Sequence, residues 1–236
     1  MSCSVIPPAN SLLQALPAED CAHLLARLEP VELPLRMVLH RPGDPIEHVY
    51  FIEEGIVSLI MILGDGQEAE VGLIGRQDGA VGLAAALGSF RATTEALVQV
   101  PGRALRLPLE VLRAEMVRSP ALTAELQRFL LVQYLHVMQT AACNGRHSLE
   151  ERLARWLLMM HDRVGRDELP TTHEFVAKML SVRRAGVTVA VAMLEQAGAI
   201  SHARGSVTVL DRDRLEGASC ECYAAAQRAI EPLLPR

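Results

Sequence analysis

The fold of the C-terminal part of the chain is decided by residues 171–210, TTHEFVAKMLSVRRAGVTVAVAMLEQAGAISHARGSVTVL. Their pattern predicts two short helices joined by the tight turn SVRR, with the second helix closed by Gly198. Thr171 and Glu174 have the spacing of a capping box at the start of the first helix. Two strand-like runs around Arg204-Gly205 then predict a β-hairpin. Two helices in this arrangement, followed by a hairpin, are typical of a winged helix-turn-helix.

The second of these helices has an unusual outer face. One side carries the apolar stripe expected of a core, and the opposite side carries only small or uncharged residues where Glu, Lys or Gln would be normal. Arg183 and Arg184 stand at its start, where cations oppose the helix dipole. A neutral face suits docking into a major groove, and the arginines suit guanine edges or phosphates. The alternative is a face packed on another element, with solvated arginines. The predicted DNA-binding residues are Thr172, Arg183, Arg184, Ala185, Thr188, Val189, His202 and Arg204.

Residues 120–143 contain no Gly, and no Pro after Pro120, and their apolar side chains cover nearly every face. A long helix of this kind is buried on more than one side. We expect one face to pack on its own N-terminal domain and another on a second copy of the chain, while a central helix of a monomer is the alternative. The predicted dimerisation residues are Leu126, Leu130, Tyr134, Val137 and Ala141.

Residues 33–108 consist of short β-rich runs separated by Gly-, Pro- and Asp-containing turns, a spacing typical of a compact barrel or sandwich. Within them, residues 79–88, GAVGLAAALG, predict a short helix entered through a glycine-rich turn. Ahead of them, residues 11–29 predict a helix broken in two by Pro17.

A β-roll, a long helix and a winged helix-turn-helix in this order resemble the Crp/Fnr family of bacterial transcription regulators. HRPGDPIEHVYFIEEGIVSLI (40–60) and THEFVAKMLSVRRAGVTVAVAMLEQAGAI (172–200) carry the resemblance. It implies an α+β protein with a sensor domain at 1–118, a dimerisation helix at 119–147 and a winged helix-turn-helix at 148–236. It also implies a homodimer that binds an inverted repeat of double-stranded DNA and controls the access of RNA polymerase.

The sequence departs from the cyclic AMP-binding members of that family. Those members have a Glu in the glycine-rich segment and an Arg-Ser pair further on, but residues 79–88 contain no Glu, and Thr93-Thr94 stand where the pair is expected. A buried phosphate without its arginine would leave an unpaired charge. We therefore expect an effector other than cyclic AMP, or none, and no cofactor is predicted with certainty. The candidate ligand-binding residues are Gly79, Val81, Gly82, Leu83, Arg91, Thr93 and Thr94.

Composition limits the other classes of function. Aromatic residues make up 3% of the chain, which argues against a base-stacking platform for single strands. The net charge is −5 overall and zero over residues 148–236, so total charge gives no support for DNA binding. We expect neither a membrane helix nor a secretory signal, and the odd, scattered cysteines predict a cytoplasmic protein.

No catalytic motif is present, so an enzyme is not expected. Cys220 and Cys222 form a C-x-C pair, but two thiols cannot complete a four-ligand site, and the nearest histidine in sequence is His202. The family's iron–sulfur sensors use an N-terminal cysteine cluster, whereas only Cys3 and Cys21 occur there. We predict no metal site and a structural role for the pair, and a thiol redox sensor or a binding module without DNA function remain as alternatives.

Overall fold

A computed structural model describes residues 7–88 and 91–234, and Cys3 lies outside them. It has an antiparallel N-terminal sheet, a long helix and a helical C-terminal part with a small sheet, which confirms the predicted α+β fold. The described residues form two compact units. The first holds the chain up to Val57 and Ile74–Leu131, and the second holds Ser58–Leu73 and Val132–Leu234.

The first unit begins with two short helices on either side of Pro17, as predicted: α1 (Ser11–Gln14) and α2 (Ala18–Leu25). The N-terminal sheet has the order β1-β6-β3-β4, with β2 paired to β6 and β5 paired to β3, and the end of β3 and most of β4 belong to the second unit. Its strands are β1 (Glu29–Leu33), β2 (Val38–His40), β3 (His48–Ile62), β4 (Glu68–Ile74), β5 (Ala80–Val81) and β6 (Glu95–Pro108).

Glycine allows two strands of this sheet to approach closely. Gly55 on β3 has φ +89°, and a Cβ there would lie 2.5 Å from the carbonyl oxygen of Val100 on β6. The segment after β5 forms a 3₁₀-helix over Leu83–Leu87, entered through Gly82 at φ +89°. The predicted short helix is therefore confirmed over Leu83–Leu87, whereas Ala80–Val81 at the start of the predicted segment form the strand β5.

Two further helices follow the sheet, α3 (Leu109–Arg118) and α4 (Pro120–Arg146). The 27 residues of α4 confirm the predicted long helix. Leu126 is only 1% exposed and packs in the hydrophobic core of the first unit. The prediction that it forms the dimer contact is therefore wrong, because its side chain is already covered by its own chain.

The second unit contains α5 (Leu149–Val164), which begins with the predicted capping box of Ser148 and Glu151. The sheet β7-β9-β8 includes one strand that the sequence did not indicate, β7, within a segment that reads as a polar break. None of the helices within the described residues has both the length and the apolar character needed to span a bilayer. The remaining elements are β7 (Glu168–Pro170), α6 (His173–Met179), α7 (Arg184–Gln196), β8 (Ile200–Ala203), β9 (Ser206–Val209), α8 (Arg212–Ala218), α9 (Cys222–Ile230) and a 3₁₀ turn (Glu231–Leu233).

Candidate nucleic-acid interface

Helix α6 begins one residue later than the capping box predicted. Thr172 is the N-cap, and its hydroxyl accepts a hydrogen bond from the backbone N–H of Phe175 at 3.2 Å. Thr171 is buried, and its backbone N–H donates to the carbonyl of Gly205 at 3.0 Å. The assignment of the cap to Thr171 is therefore wrong, because that residue continues the pairing of β7 with the wing.

The turn between α6 and α7 is held from both sides. Ser181 adopts the left-handed conformation at φ +52°, and the N–H of Val182 donates to the carbonyl of Ala177 at 2.9 Å. From α5, Nη2 of Arg152 donates to the carbonyl of Leu180 at 2.6 Å. The sequence gave no indication of this contact, since it joins residues 28 positions apart. Together these bonds fix the direction in which α7 leaves the turn.

The inner face of α7 confirms the predicted core stripe. The four buried side chains of the helix are Val187, Ala190, Val191 and Leu194. Its C-terminus is a Schellman motif, in which the N–H of Gly198 donates to Glu195 and that of Ala199 to Leu194. Gly198 has φ +70°, so the glycine predicted to close the helix does so.

The outer face of α7 is exposed and uncharged. Ala185, Thr188, Val189 and Ala192 are all exposed, and Val189 is 61% exposed. Met193, one turn after Val189, is also 46% exposed, so adjoining apolar side chains are uncovered here, as on a surface available to a partner. The structure thus brings together, on one face, the residues predicted to face the groove.

The N-terminal end of α7 is positively charged. Arg183 is its N-cap without a side-chain capping bond, and the first turn contains no acidic residue. Arg183 and Arg184 are both exposed, and within the described part of the chain neither forms a salt bridge. The N–H groups in the first turn of α7 lack a capping acceptor, and two guanidinium groups lie beside them. This environment favours an anion.

A row of four side chains links α6, α7 and the wing; the sequence predicted Thr188 and His202 as site residues but did not indicate His173 and Glu195. Nδ1 of His173 lies 3.2 Å from the hydroxyl of Thr188, which itself donates to the carbonyl of Arg184. The centroid of the His173 ring lies 5.1 Å from that of His202, with the two rings tilted by 38°, and Nδ1 of His202 lies 2.8 Å from Glu195. Thr188 remains exposed, but these contacts fix its hydroxyl. No short-range pattern connects these residues, since α6, α7 and β8 each contribute to the row.

The charges in this row are set by its environment. Burial lowers the pKa of His173, and His202 and Arg184 lower it further, so the imidazole is neutral near pH 7. With Nδ1 protonated, it donates to Thr188. The hydrogen bond from His202 holds the pKa of Glu195 below its usual value. The row therefore orders the start of the wing against α7 and adds no unpaired negative charge.

The predicted wing is confirmed as the hairpin of β8 and β9. Arg204 and Gly205 form its exposed turn, with Gly205 at φ +93°. His202 is exposed on β8, and its backbone N–H donates to Glu195 at 2.9 Å. Arg204 is thus placed at the tip, and His202 at the base beside α7.

The candidate ligand-binding residues of the first unit divide into two groups. Val81 and Leu83 are each 1% exposed and lie within the apolar interior. Arg91 and Thr93 are exposed, Thr94 is half-buried, and Nη1 of Arg91 donates to the carbonyl of Gly43 at 2.6 Å. Gly79 has φ +90°, and a Cβ there would lie 2.9 Å from Cβ of Phe129, so only glycine fits both the conformation and the space. Gly82 likewise lies in the left-handed region.

The cysteines give a result that the sequence analysis excluded. Cys220 and Cys222 lie beside Cys143 and His147, with all four ligand atoms within 4.8 Å of one another. The prediction that no further ligand joins the pair is wrong, because the fold brings the end of α4 next to the start of α9. Burial raises the pKa of the Cys143 and Cys222 thiols, so they are neutral without a cation. A pattern was available in the sequence: Cys143 and His147 have the i, i+4 spacing of one helix face.

Comparison with known proteins identifies both parts of the chain. Residues 30–119 match the model of the cyclic nucleotide-binding domain, and residues 151–218 match that of the Crp-like helix-turn-helix domain. The global nitrogen regulator of Synechocystis sp. is 25% identical over 177 residues, which span 71% of this chain and 78% of that protein.

Two solved structures show the same fold. FixK2 from Bradyrhizobium japonicum superimposes with a TM-score of 0.70 at 18% identity, covering 82% of this chain and 98% of that one. The c-di-GMP responsive global regulator CLP of Xanthomonas campestris does so with a TM-score of 0.69 at 18% identity, covering 82% and 99%.

Proposed function

Because the chain belongs to the Crp/Fnr family of transcription regulators, we propose that it binds an inverted repeat of double-stranded DNA as a homodimer. The observation that carries this proposal is the exposed, uncharged face of α7 next to Arg183 and Arg184. In this proposal each protomer places one α7 in the major groove of one half-site, and the bound dimer changes the access of RNA polymerase in the cytoplasm.

Each part of the surface has a chemical role in this proposal. Arg184, in the first turn of α7, reads a guanine through its O6 and N7 atoms, the most common specific contact. The methyl groups of Ala185 and Val189 meet thymine methyls. Arg183 and the wing residue Arg204 contact phosphates, which fix the register but carry no sequence information.

The second half of α4 supports the dimer. Tyr134, Val137 and Met138 are exposed by 61%, 40% and 50%, and Ala141 lies one turn further along the same helix. Leu130 is half-buried at the start of this stripe. A contiguous apolar stripe at helical spacing is typical of a helix that packs on a second copy. Such a dimer would read half-sites about 34 Å apart, one turn of DNA.

The effector of this regulator, if it has one, is proposed to differ from cyclic AMP. A buried cyclic phosphate requires a cation beside it. Arg76 and Arg91, each three residues from the glycine-rich segment, are exposed, and Arg91 already donates to Gly43. The half-buried Arg113 donates to the carbonyl of Ala85 within that segment, and Val81 and Leu83 are buried in the apolar interior. Titration of the full chain with cyclic AMP in a calorimeter is expected to give no saturable heat. Binding at micromolar concentration would contradict this part of the proposal.

The DNA proposal is tested by selecting duplexes from a random pool with the purified, effector-free chain at moderate salt. We expect enrichment of an inverted repeat. Arg184→Ala should lose discrimination at one base position, worth about 1–3 kcal/mol. Arg103→Ala removes the same charge from an exposed position in the first unit and is expected to leave the selected sequence unchanged.

Two outcomes would contradict the proposal. An Arg184→Ala variant that retains full sequence preference would remove this residue from base readout. A chain that binds no duplex even at low salt, with or without added ligand, would favour a module whose helix-turn-helix lacks DNA function, because contacts to phosphates strengthen as salt is lowered.

A further inference from the structure

Four potential metal ligands meet in the second unit, and none of them belongs to α6, α7 or the wing. Cys143, His147, Cys220 and Cys222 place their ligand atoms within 4.8 Å of one another. The Sγ atoms of Cys143 and Cys220 are 3.4 Å apart, and Sγ of Cys222 lies 3.6 Å from Nδ1 of His147. The three thiols are buried together, and the histidine is half-buried.

The local structure explains why these side chains converge. Cys143 lies in the last turn of α4, which ends at Arg146, so His147 follows one turn later on the same side. Cys220 and Cys222 flank the start of α9. Two pairs with short internal spacing, distant from each other in sequence, are the usual way in which a chain builds a four-ligand zinc site.

We propose that these four residues bind one Zn²⁺ ion in a closed Cys₃His site. Zinc holds thiolates at about 2.3 Å and imidazole nitrogen at about 2.0–2.1 Å in a tetrahedron, which places neighbouring ligand atoms roughly 3.5–3.8 Å apart. The distances of 3.4 and 3.6 Å come close to this spacing before any metal is bound. Four protein ligands leave no position for substrate, so the ion is structural.

Two other chemistries fit the arrangement less well. An iron–sulfur cluster distributes its thiolates over several irons and therefore holds them farther apart than a single ion does. A disulfide between Cys143 and Cys220 would use neither Cys222 nor His147. A single ion would bind all four side chains and therefore accounts for the position of each of them.

The surroundings of His147 are those of a metal ligand. Nδ1 faces Cys222, and Nε2 lies 3.2 Å from a carboxylate oxygen of Glu221. A carboxylate on the distal nitrogen fixes the ring and increases its basicity, as in carboxylate–histidine–zinc triads. The Arg155 guanidinium interacts electrostatically with Cys143 and offsets part of the negative charge of three thiolates.

The ion would connect the end of α4 to the start of α9. Binding energy at such a site contributes directly to folding, because the unfolded chain holds no preformed site. The α9 helix is short, and two of the four ligands lie at its start, so we expect metal removal to loosen this segment first. This proposal concerns the stability of the C-terminal segment and does not depend on the DNA proposal.

The test measures metal content and coordination in the full chain purified under reducing conditions. We expect about one zinc per chain, and after exchange, a Co²⁺ spectrum with the thiolate bands and visible absorption of a tetrahedral site. Cys222→Ser should lower the zinc affinity at least tenfold. Cys21→Ser, which removes a thiol from α2 in the first unit, is the matched control and should retain wild-type zinc.

Glu221→Gln keeps all four ligands and changes only an exposed side chain, so its result does not depend on whether a cysteine variant folds. It should keep the tetrahedral Co²⁺ spectrum with affinity about 10–100-fold lower. The proposal is overturned if the reduced chain binds no zinc or cobalt, if iron with cluster absorption is found instead, or if Cys222→Ser binds zinc as tightly as Cys21→Ser.

Discussion

The buried carboxyl group of Glu70 should make the stability of the second unit depend on pH. Burial raises the pKa of Glu70 from 4.5 to about 7, because loss of water disfavours the charged form, while hydrogen bonds from Ser58 and Trp156 offset part of this increase. Oε1 accepts from Nε1 of Trp156 at 2.8 Å, joining β4 to α5. Glu70→Gln removes the titration and keeps an oxygen acceptor for the indole.

The sign follows from the direction of the shift. Between pH 4.5 and pH 7 the folded chain keeps a proton that the unfolded chain has released, so its free energy of unfolding falls as the pH rises. The contribution is fully present below pH 4.5 and is lost above pH 7. Integrated from pH 5 to pH 8, the loss is about 2–3 kcal/mol. The Glu70→Gln variant should therefore gain this amount relative to wild type over the same range.

Trp156 is the only tryptophan of the chain, so urea unfolding followed by its fluorescence reports on the unit that contains Glu70. The native fluorescence of the wild type should itself titrate with a midpoint near pH 7, and that transition should vanish in Glu70→Gln. Glu68→Gln is the control: it breaks a surface ion pair with Lys178 and should cost at most about 1 kcal/mol, equally at pH 5 and pH 8. The reasoning is refuted if the difference in unfolding free energy between the wild type and Glu70→Gln stays constant within about 0.5 kcal/mol from pH 5 to pH 8.

Three further predictions concern packing, capping and assembly. Gly55→Ala should lower the free energy of urea unfolding by about 3 kcal/mol, because the new Cβ would lie 2.5 Å from a backbone oxygen at a residue in the left-handed conformation. Gly64 has open space around it, so Gly64→Ala should change the free energy of unfolding by less than about 0.5 kcal/mol. Thr172→Ala should lower stability by about 1 kcal/mol because the α6 cap is lost, whereas Thr171→Val should be nearly neutral. If thermal unfolding shows the reverse order, Thr171 is the cap, as the sequence predicted. Val137→Lys should shift the sedimentation of the chain from dimer towards monomer without lowering its helical circular dichroism, and an unchanged dimer would exclude this part of α4 from the interface.

Local patterns predicted the elements well, since each depends on residues that are near each other in sequence. The break at Pro17, the capping box at Ser148, the end of α7 at Gly198 and the wing turn at Arg204-Gly205 all follow from the conformational preferences of a few residues. The sequence did not predict the strand β7, because a segment of three residues that includes a proline forms a strand only when β9 pairs with it.

The features that sequence reasoning missed are contacts between distant segments. The burial of Leu126 depends on which side of α4 the N-terminal core covers, and apolar periodicity around the whole helix cannot select that side. The bond from Arg152 to Leu180 and the convergence of Cys143 with Cys220 likewise depend on tertiary packing. A spacing rule identifies candidate ligands on one helix, but only the fold supplies the second pair.

The neutral total charge of residues 148–236 is compatible with a positive DNA-facing surface, because some of the acidic side chains are paired with basic or polar side chains of the same chain. Asp162 accepts hydrogen bonds from Arg212 and Tyr223, and Glu195 is bound by His202. Arg183, by contrast, forms no ion pair among the described residues. Salt screens exposed charges beyond about 8–10 Å, so a phosphate at the start of α7 experiences the local arginines rather than the sum over the region. Charge counted over a whole domain therefore underestimates the attraction for DNA at a site where acids elsewhere are paired.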